Sequence, residues 1–118
     1  MTASIKVGEK GQPVKIATDF DMSGSTALQI IFTAPTGGTS FTATQATTPA
    51  VSAPAVALTN DAAFNPVRSV AASEYFLYTT DGTEFDIAGD WIACARYTDA
   101  SLELEADPVT ITITASCA

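Results

Sequence analysis

Pro108-Val109-Thr110-Ile111-Thr112-Ile113-Thr114 reads as a β-strand. Val109, Ile111 and Ile113 fall on one side of an extended chain, and Thr110, Thr112 and Thr114 on the other. Every residue after the proline is β-branched, which disfavours helix and suits a pleated, half-buried surface. Pro108 cannot donate to a ladder, so it marks the start of the strand or an edge.

The same period of two continues upstream. In Ser101 to Glu105, Leu102 and Leu104 are expected to face inward, with Glu103 and Glu105 outward. Thr98-Asp99-Ala100 is the turn back to a strand from Asp90 to Tyr97. There Trp91, Ala93, Ala95 and Tyr97 share one face, opposite Ile92, Cys94 and Arg96. Both faces are largely apolar, so the strand is expected at the centre of a sheet. Small alanines beside a tryptophan predict a large–small interlock between two sheets.

Earlier strands are expected at Ser4 to Val7 and Pro13 to Ala17, separated by Gly8-Glu9-Lys10-Gly11. Another runs from Thr26 to Ala34, where Leu28, Ile30 and Phe32 alternate against Gln29, Ile31 and Thr33. Pro35-Thr36-Gly37-Gly38 ends it in a tight turn, with Thr39 to Ala43 as its hairpin partner. Glu74 to Thr79 supplies a further strand through Tyr75 and Leu77, with Phe76 and Tyr78 as further candidates. Between these lies Thr44 to Ala72, rich in Ala, Thr, Ser and Pro. It reads as an extended loop insertion holding a short strand, Ala55 to Leu58, with little core of its own. No helical stripe, βαβ alternation or internal repeat occurs. About seven or eight short strands with turns between them predict an all-β fold, an antiparallel two-sheet sandwich forming a single domain over residues 1–118.

Size and charge bound what such a domain does. With 118 residues, it should expose roughly 6,000 Å² when folded against about 17,700 Å² unfolded, enough burial for a core without metals or disulfides. Thirteen acidic residues against five basic ones leave a net charge of −8. That charge repels phosphate backbones and anionic lipid, so neither nucleic acid nor membrane is an expected partner. A basic protein face is. Met1 to Gly11 carries no apolar run of the secretory type, and no apolar stretch approaches the ~20 residues of a membrane span. Synthesis and folding in the cytoplasm are expected, with Cys94 and Cys117 as thiols.

Catalytic patterns are thin. Asp19-Phe20-Asp21-Met22-Ser23-Gly24 copies the opening of a calcium loop, making Asp19, Asp21 and Ser23 weak metal candidates. The position that should hold the bidentate glutamate is Ile30, and a turn entering the next strand explains the motif. Asp81, Glu84, Asp86 and Asp90 cluster around Gly82 and Gly89 and read as exposed turn residues. There is no histidine to serve a Ser or Cys nucleophile, and Lys6, Lys10 and Lys15 lack the S-x-x-K context. No enzyme activity and no cofactor are expected. The aromatics, scattered among the strands, suit a core better than a flat glycan platform.

Asp86-Ile87-Ala88-Gly89-Asp90-Trp91-Ile92-Ala93 has a sharper meaning. Immunoglobulin-type sandwiches carry a tyrosine at one sheet-to-sheet corner, two residues before the core cysteine. Trp91 and Ala93 stand in those places, and Gly89 stands two before the ring. A ring clamped there and bonded back to the backbone would fix the strand crossing, which makes Asp86, Gly89 and Trp91 a structural corner.

Four pieces taken in order, Ile5-Lys6-Val7-Gly8, Asp21-Met22-Ser23-Gly24-Ser25-Thr26, Ala34-Pro35-Thr36-Gly37 and Asp86-Ile87-Ala88-Gly89-Asp90-Trp91, carry a resemblance. The chain resembles the small immunoglobulin-like proteins of tailed bacteriophages, related to the N-terminal domain of the phage baseplate upper protein. The resemblance implies a virion structural component in tail, baseplate, neck or head, with other virion proteins and further copies of itself as partners. It brings no enzymatic residues. A capsid decoration protein is an alternative, as is a carbohydrate- or receptor-binding module. An extracytoplasmic adhesin-like domain, with a leader and a Cys94–Cys117 disulfide, is a third.

Under the leading reading the long segment makes the inter-subunit contacts through Val51, Pro54, Val56, Leu58, Phe64 and Pro66. The proline-opened strands add sheet edges, with Pro13 and Val14 as contacts. Deleting Val51 to Asn65 is then expected to leave the domain folded but unable to join its assembly.

Overall fold

The computed structural model describes residues 5–62, 64 and 67–115. The strands are β1 (Ile5–Lys6), β2 (Lys10–Ala17), β3 (Ala27–Thr33), β4 (Phe41–Thr44), β5 (Leu58–Asp61), β6 (Arg68–Val70), β7 (Tyr75–Asp81), β8 (Gly89–Thr98), β9 (Glu103–Glu105) and β10 (Val109–Thr114). No helix occurs among the described residues, so the fold is all-β.

The largest sheet runs β1-β10-β8-β3-β4, with β9 also paired to β8. β10 and β9 lie end to end along β8, Val109 opposite Ala93 and Glu105 opposite Arg96. Four steps on one side match three on the other, and Pro108 sits in this offset, where its missing N–H is harmless. Pro108 therefore marks an irregularity inside the sheet. β10 is flanked by β8 and by β1, which pairs with it in parallel over Ile113 and Thr114.

β2 and β7 form a second layer, in which β2, among the described residues, is an edge strand that pairs with β7 alone. Ser52 bridges the other side of β7, exchanging backbone bonds of 3.0 and 2.8 Å with Leu77. Val14, Ile16, Phe76 and Tyr78 from this layer share one core with Leu28, Ile30, Phe32, Trp91, Ala93 and Ala95 from the large sheet. The rings of Phe32 and Tyr78 meet at 5.5 Å. The two alanines of β8 give room for these rings, and Trp91 and Phe32 have no exposed surface. Dense interdigitation of large and small side chains across the layers holds them together through dispersion and apolar burial.

The segment from Thr44 to Ala72 departs from expectation. It is a third layer and not a loop without a core. β5 and β6 form a ribbon against the outer face of β2–β7, where Phe64, Val70 and Tyr75 pack with Ala17, Leu58 and Leu77. Lys15 pairs with Asp61 across this contact at 2.8 Å, and the Tyr75 hydroxyl donates to the Val56 carbonyl at 2.9 Å. Its strand begins at Leu58, three residues beyond the expected Ala55, and its partner is local. Because the ribbon covers them, Tyr75 and Leu77 face this small core, while Phe76 and Tyr78 face the main one. Periodicity alone suggested the opposite emphasis.

Leu102 also differs. It is 53% exposed, because Asp99 draws it out of the strand. The Asp99 carboxylate accepts the N–H groups of Ser101 and Leu102, and the Asp99 N–H donates to the Leu102 carbonyl. Leu104, two residues later, packs on the core as expected. The described chain exposes 6324 Å², close to the area expected of its length.

Candidate functional site

The corner at Asp86, Gly89 and Trp91 is built from two turns pressed together. Gly89 has φ +136°, and a Cβ there would stand 3.0 Å from Pro35 Cγ. A Cβ on Gly38 would stand 2.9 Å from Ala34 Cβ and 3.0 Å from Ile87 Cγ1. Only glycine allows this approach at both positions. Asp86 Oδ1 accepts the Thr39 N–H at 3.2 Å and ties the turns together. The buried Trp91 indole donates from Nε1 to the Ile87 carbonyl at 3.2 Å and meets Phe85 edge-on at 5.0 Å. This arrangement fixes the crossing from β7 into β8 and presents no reactive group.

Beside it a cleft of about 450 Å³ opens between β4 and the end of β7. Phe41 and Tyr78 form its apolar part, threonine hydroxyls its rim, and Asp81, Glu84 and Asp86 its acidic part. Glu84 is not the exposed turn residue that its position suggested: it is 9% exposed. Its carboxylate accepts the Tyr78 hydroxyl at 2.7 Å and the N–H groups of Asp81 and Gly82 at 2.7 and 3.1 Å. Burial, then the bond to Glu84, raises the Tyr78 hydroxyl well above the usual phenol range. Asp81 accepts the hydroxyl and the N–H of Thr83, which lowers its carboxyl below the ordinary value. Thus each carboxylate of the cleft already accepts from the fold itself. The sequence hint of the buried pair was the Asp-Gly-Thr-Glu turn, where a glutamate three residues on reaches back to cap the backbone N–H groups.

The calcium-like opening is turn chemistry as well. Asp19, at φ +62°, forms an ion pair with Arg68, and Asp21 accepts the Ser23 N–H at 2.9 Å, which lowers its carboxyl. Among the described residues no group of three or more His, Cys, Asp or Glu could hold a metal ion.

The expected contact residues divide. Val51 and Val14 are 2% and 5% exposed and belong to the main core. Phe64 is buried in the ribbon core, and Leu58 packs beside it. These four hold the fold, three of them buried and Leu58 half-buried. The 51–65 deletion would remove core, so its expected harmlessness is withdrawn. Pro54 is half-buried, whereas Val56, at 64% exposure, and Pro13, on the β2 edge, remain open. Pro66 and Cys117 lie outside the described residues.

The surface that sequence reasoning missed is the outer face of the large sheet. Ile31 and Cys94 are half-buried there and Ile92 is 39% exposed. Apolar residues on both sides of β8 had suggested burial of both. β8 is indeed central in its sheet, but among the described residues no layer covers this side. Known protein families, curated proteins and solved structures were all compared with the chain, and none matches it.

Proposed function

We propose that the chain is an immunoglobulin-like, non-enzymatic structural component of a tailed-bacteriophage particle, held in tail, baseplate, neck or head by subunit contacts. The observation that carries the immunoglobulin-like part of the reading is the strand order. An immunoglobulin-type sandwich opposes a sheet containing strands C, F and G to one containing B and E, and variable-type domains add C′ beside C. β3, β8 and β10 correspond to C, F and G, β4 to C′, and β2 and β7 to B and E. Trp91, at the start of the F-like strand, bonds back to the backbone as the corner ring of such domains does. The four sequence pieces that carry the phage resemblance supply the β1 strand, two turns and this corner.

The commitment of polar side chains to the fold supports a structural role over a chemical one. Mass spectrometry of virions purified from the source tests the reading. The chain is expected at a fixed ratio to the other particle proteins, and that ratio separates head decoration from a tail or baseplate position. Its absence from particles would end the proposal.

One observation favours a second reading, a glycan-binding module. The Phe41 ring, stacked on Phe32 at 4.6 Å, lines the cleft among threonine hydroxyls. A rise in melting temperature with oligosaccharide that is lost in Phe41→Ala would support it.

A further inference from the structure

Residues 55–72, which carry the β5–β6 ribbon, are held firmly at their roots and lightly along their length. Val51 and Ala53 sit in the main core, Ser52 bridges Leu77, and the Ser73 N–H donates to the Pro54 carbonyl at 2.9 Å. The carbonyls of Ser73 and Glu74 accept in turn from the N–H groups of Met22 and Thr18 at 2.8 and 2.9 Å. Between these roots, among the described residues, no backbone–backbone hydrogen bond joins the ribbon to either main sheet. Side chains make the connections instead: Lys15 with Asp61, Arg68 with Asp19, and the Tyr75 hydroxyl with the Val56 carbonyl. The apolar contact of Leu58, Phe64 and Val70 with Ala17, Tyr75 and Leu77 is a small core separate from the main one. Small residues flank it: Ala55, Val56 and Ala57 on one side and Ala71 and Ala72 on the other are all exposed. A segment with few backbone ties and exposed ends opens at less cost than the sheets it rests on.

We infer that the ribbon is an exchangeable arm, which lifts as a unit and docks on the β2–β7 face of a second copy. The contacts already made fix the occupant. A second copy's ribbon brings the same Phe64 and Val70 to Tyr75 and Leu77, the same Asp61 to Lys15 and the same Arg68 to Asp19. Exchange of an identical element keeps every one of these contacts and changes only the hinges. Hinges of two and three residues reach roughly 7 and 10 Å. Packed sheets lie about 10 Å apart, so the two copies face each other through this layer, each covered by the other's ribbon about a twofold axis. Within one chain the ribbon's own face is the nearer one. The closed form therefore prevails in dilute solution, and exchange grows where copies are concentrated, as in an assembly.

A mixture of unlabelled and ¹⁵N-labelled full-length chain tests the inference without any substitution. The mixture is held in urea below the main unfolding transition, returned to buffer and treated with carbodiimide, which joins carboxylates to lysine amines without a spacer. Lys15 and Asp61, 2.8 Å apart, are the pair to be read by mass spectrometry. Links within one chain carry a single label, whereas links made by an exchanged ribbon carry both. Mixed Lys15–Asp61 links are expected, rising about tenfold between ~0.1 and ~1 mM protein while the closed form dominates, as mass action requires. Single-label links alone at ~1 mM would overturn the inference. So would mixed links that appear only after the whole sandwich unfolds, or that occur as often from Lys6 or Lys10. If the pair does not couple, sedimentation of the same samples decides. A dimer produced by the urea step that persists on dilution supports exchange, and monomer alone overturns it. Because purified chain suffices, failure of exchange leaves the virion reading standing, and absence of the chain from particles leaves exchange standing.

Discussion

Gly89 concentrates the backbone demands of the corner in a single residue. Its φ of +136° is open to glycine and costly to others, and Pro35 stands where a side chain would begin. Gly89→Ala is expected to lose about 1–3 kcal/mol of stability in urea unfolding. Tyr78 is the other residue whose environment decides its behaviour. Its buried hydroxyl donates to the Glu84 carboxylate, and a hydrogen bond to a charged group contributes about 1.5–3 kcal/mol. Tyr78→Phe should cost about that much at neutral pH. The folded pKa of this hydroxyl is raised, so the contribution is fully present below the unfolded value of about 10 and is lost as pH rises above it. The parent protein should therefore lose stability more steeply than Tyr78→Phe above about pH 10. Parallel slopes in the two proteins would refute the assignment.

Elements in this fold take their meaning from what lies across from them. The ribbon of β5 and β6 has few large apolar residues, yet with Tyr75 and Leu77 beneath it Phe64 becomes a core residue. Phe64→Ala is expected to cost about 3 kcal/mol, at the lower end for buried phenylalanine because the ribbon is peripheral and free to collapse. Leu102 and Leu104 form the contrast. The Asp99 turn leaves Leu102 exposed, so Leu102→Ala should change stability by less than about 0.5 kcal/mol. Leu104→Ala, packed on the main core, should cost more. Chemical denaturation of the pair measures the difference directly.

At the scale of the molecule, a net charge of −8 sits on a framework in which acids cap turns. Asp99 is held low first by the Tyr97 hydroxyl and then by the N–H groups of Ser101 and Leu102. Asp81 and Asp21 are lowered by Thr83 and Ser23. Groups lowered by folding contribute stability that is present above the unfolded carboxylate value of about 4 and lost as pH falls through the lowered folded values. Acid unfolding should therefore begin below about pH 4, and Asp99→Asn should shift its midpoint upward. An acid transition that is the same in Asp99→Asn would count against the turn as its origin.

The sequence alone determined the strands of the two main sheets, though not the β5–β6 ribbon, because alternation of side chains is a local property with a period of two. Val109 to Thr114 and Trp91 to Tyr97 could be read without knowing their neighbours, and the Gly89–Trp91 corner was legible because a glycine and a ring at that spacing answer a local backbone demand. Tertiary structure decided which sides were covered. A strand carries two faces, and only the chain brought against each one makes it core or surface. Val51, Phe64 and Glu84 became interior because distant segments closed over them, and Ile92 stayed outside because none of the described residues did. Burial is a relation between residues far apart in the chain, and a period of two cannot record it.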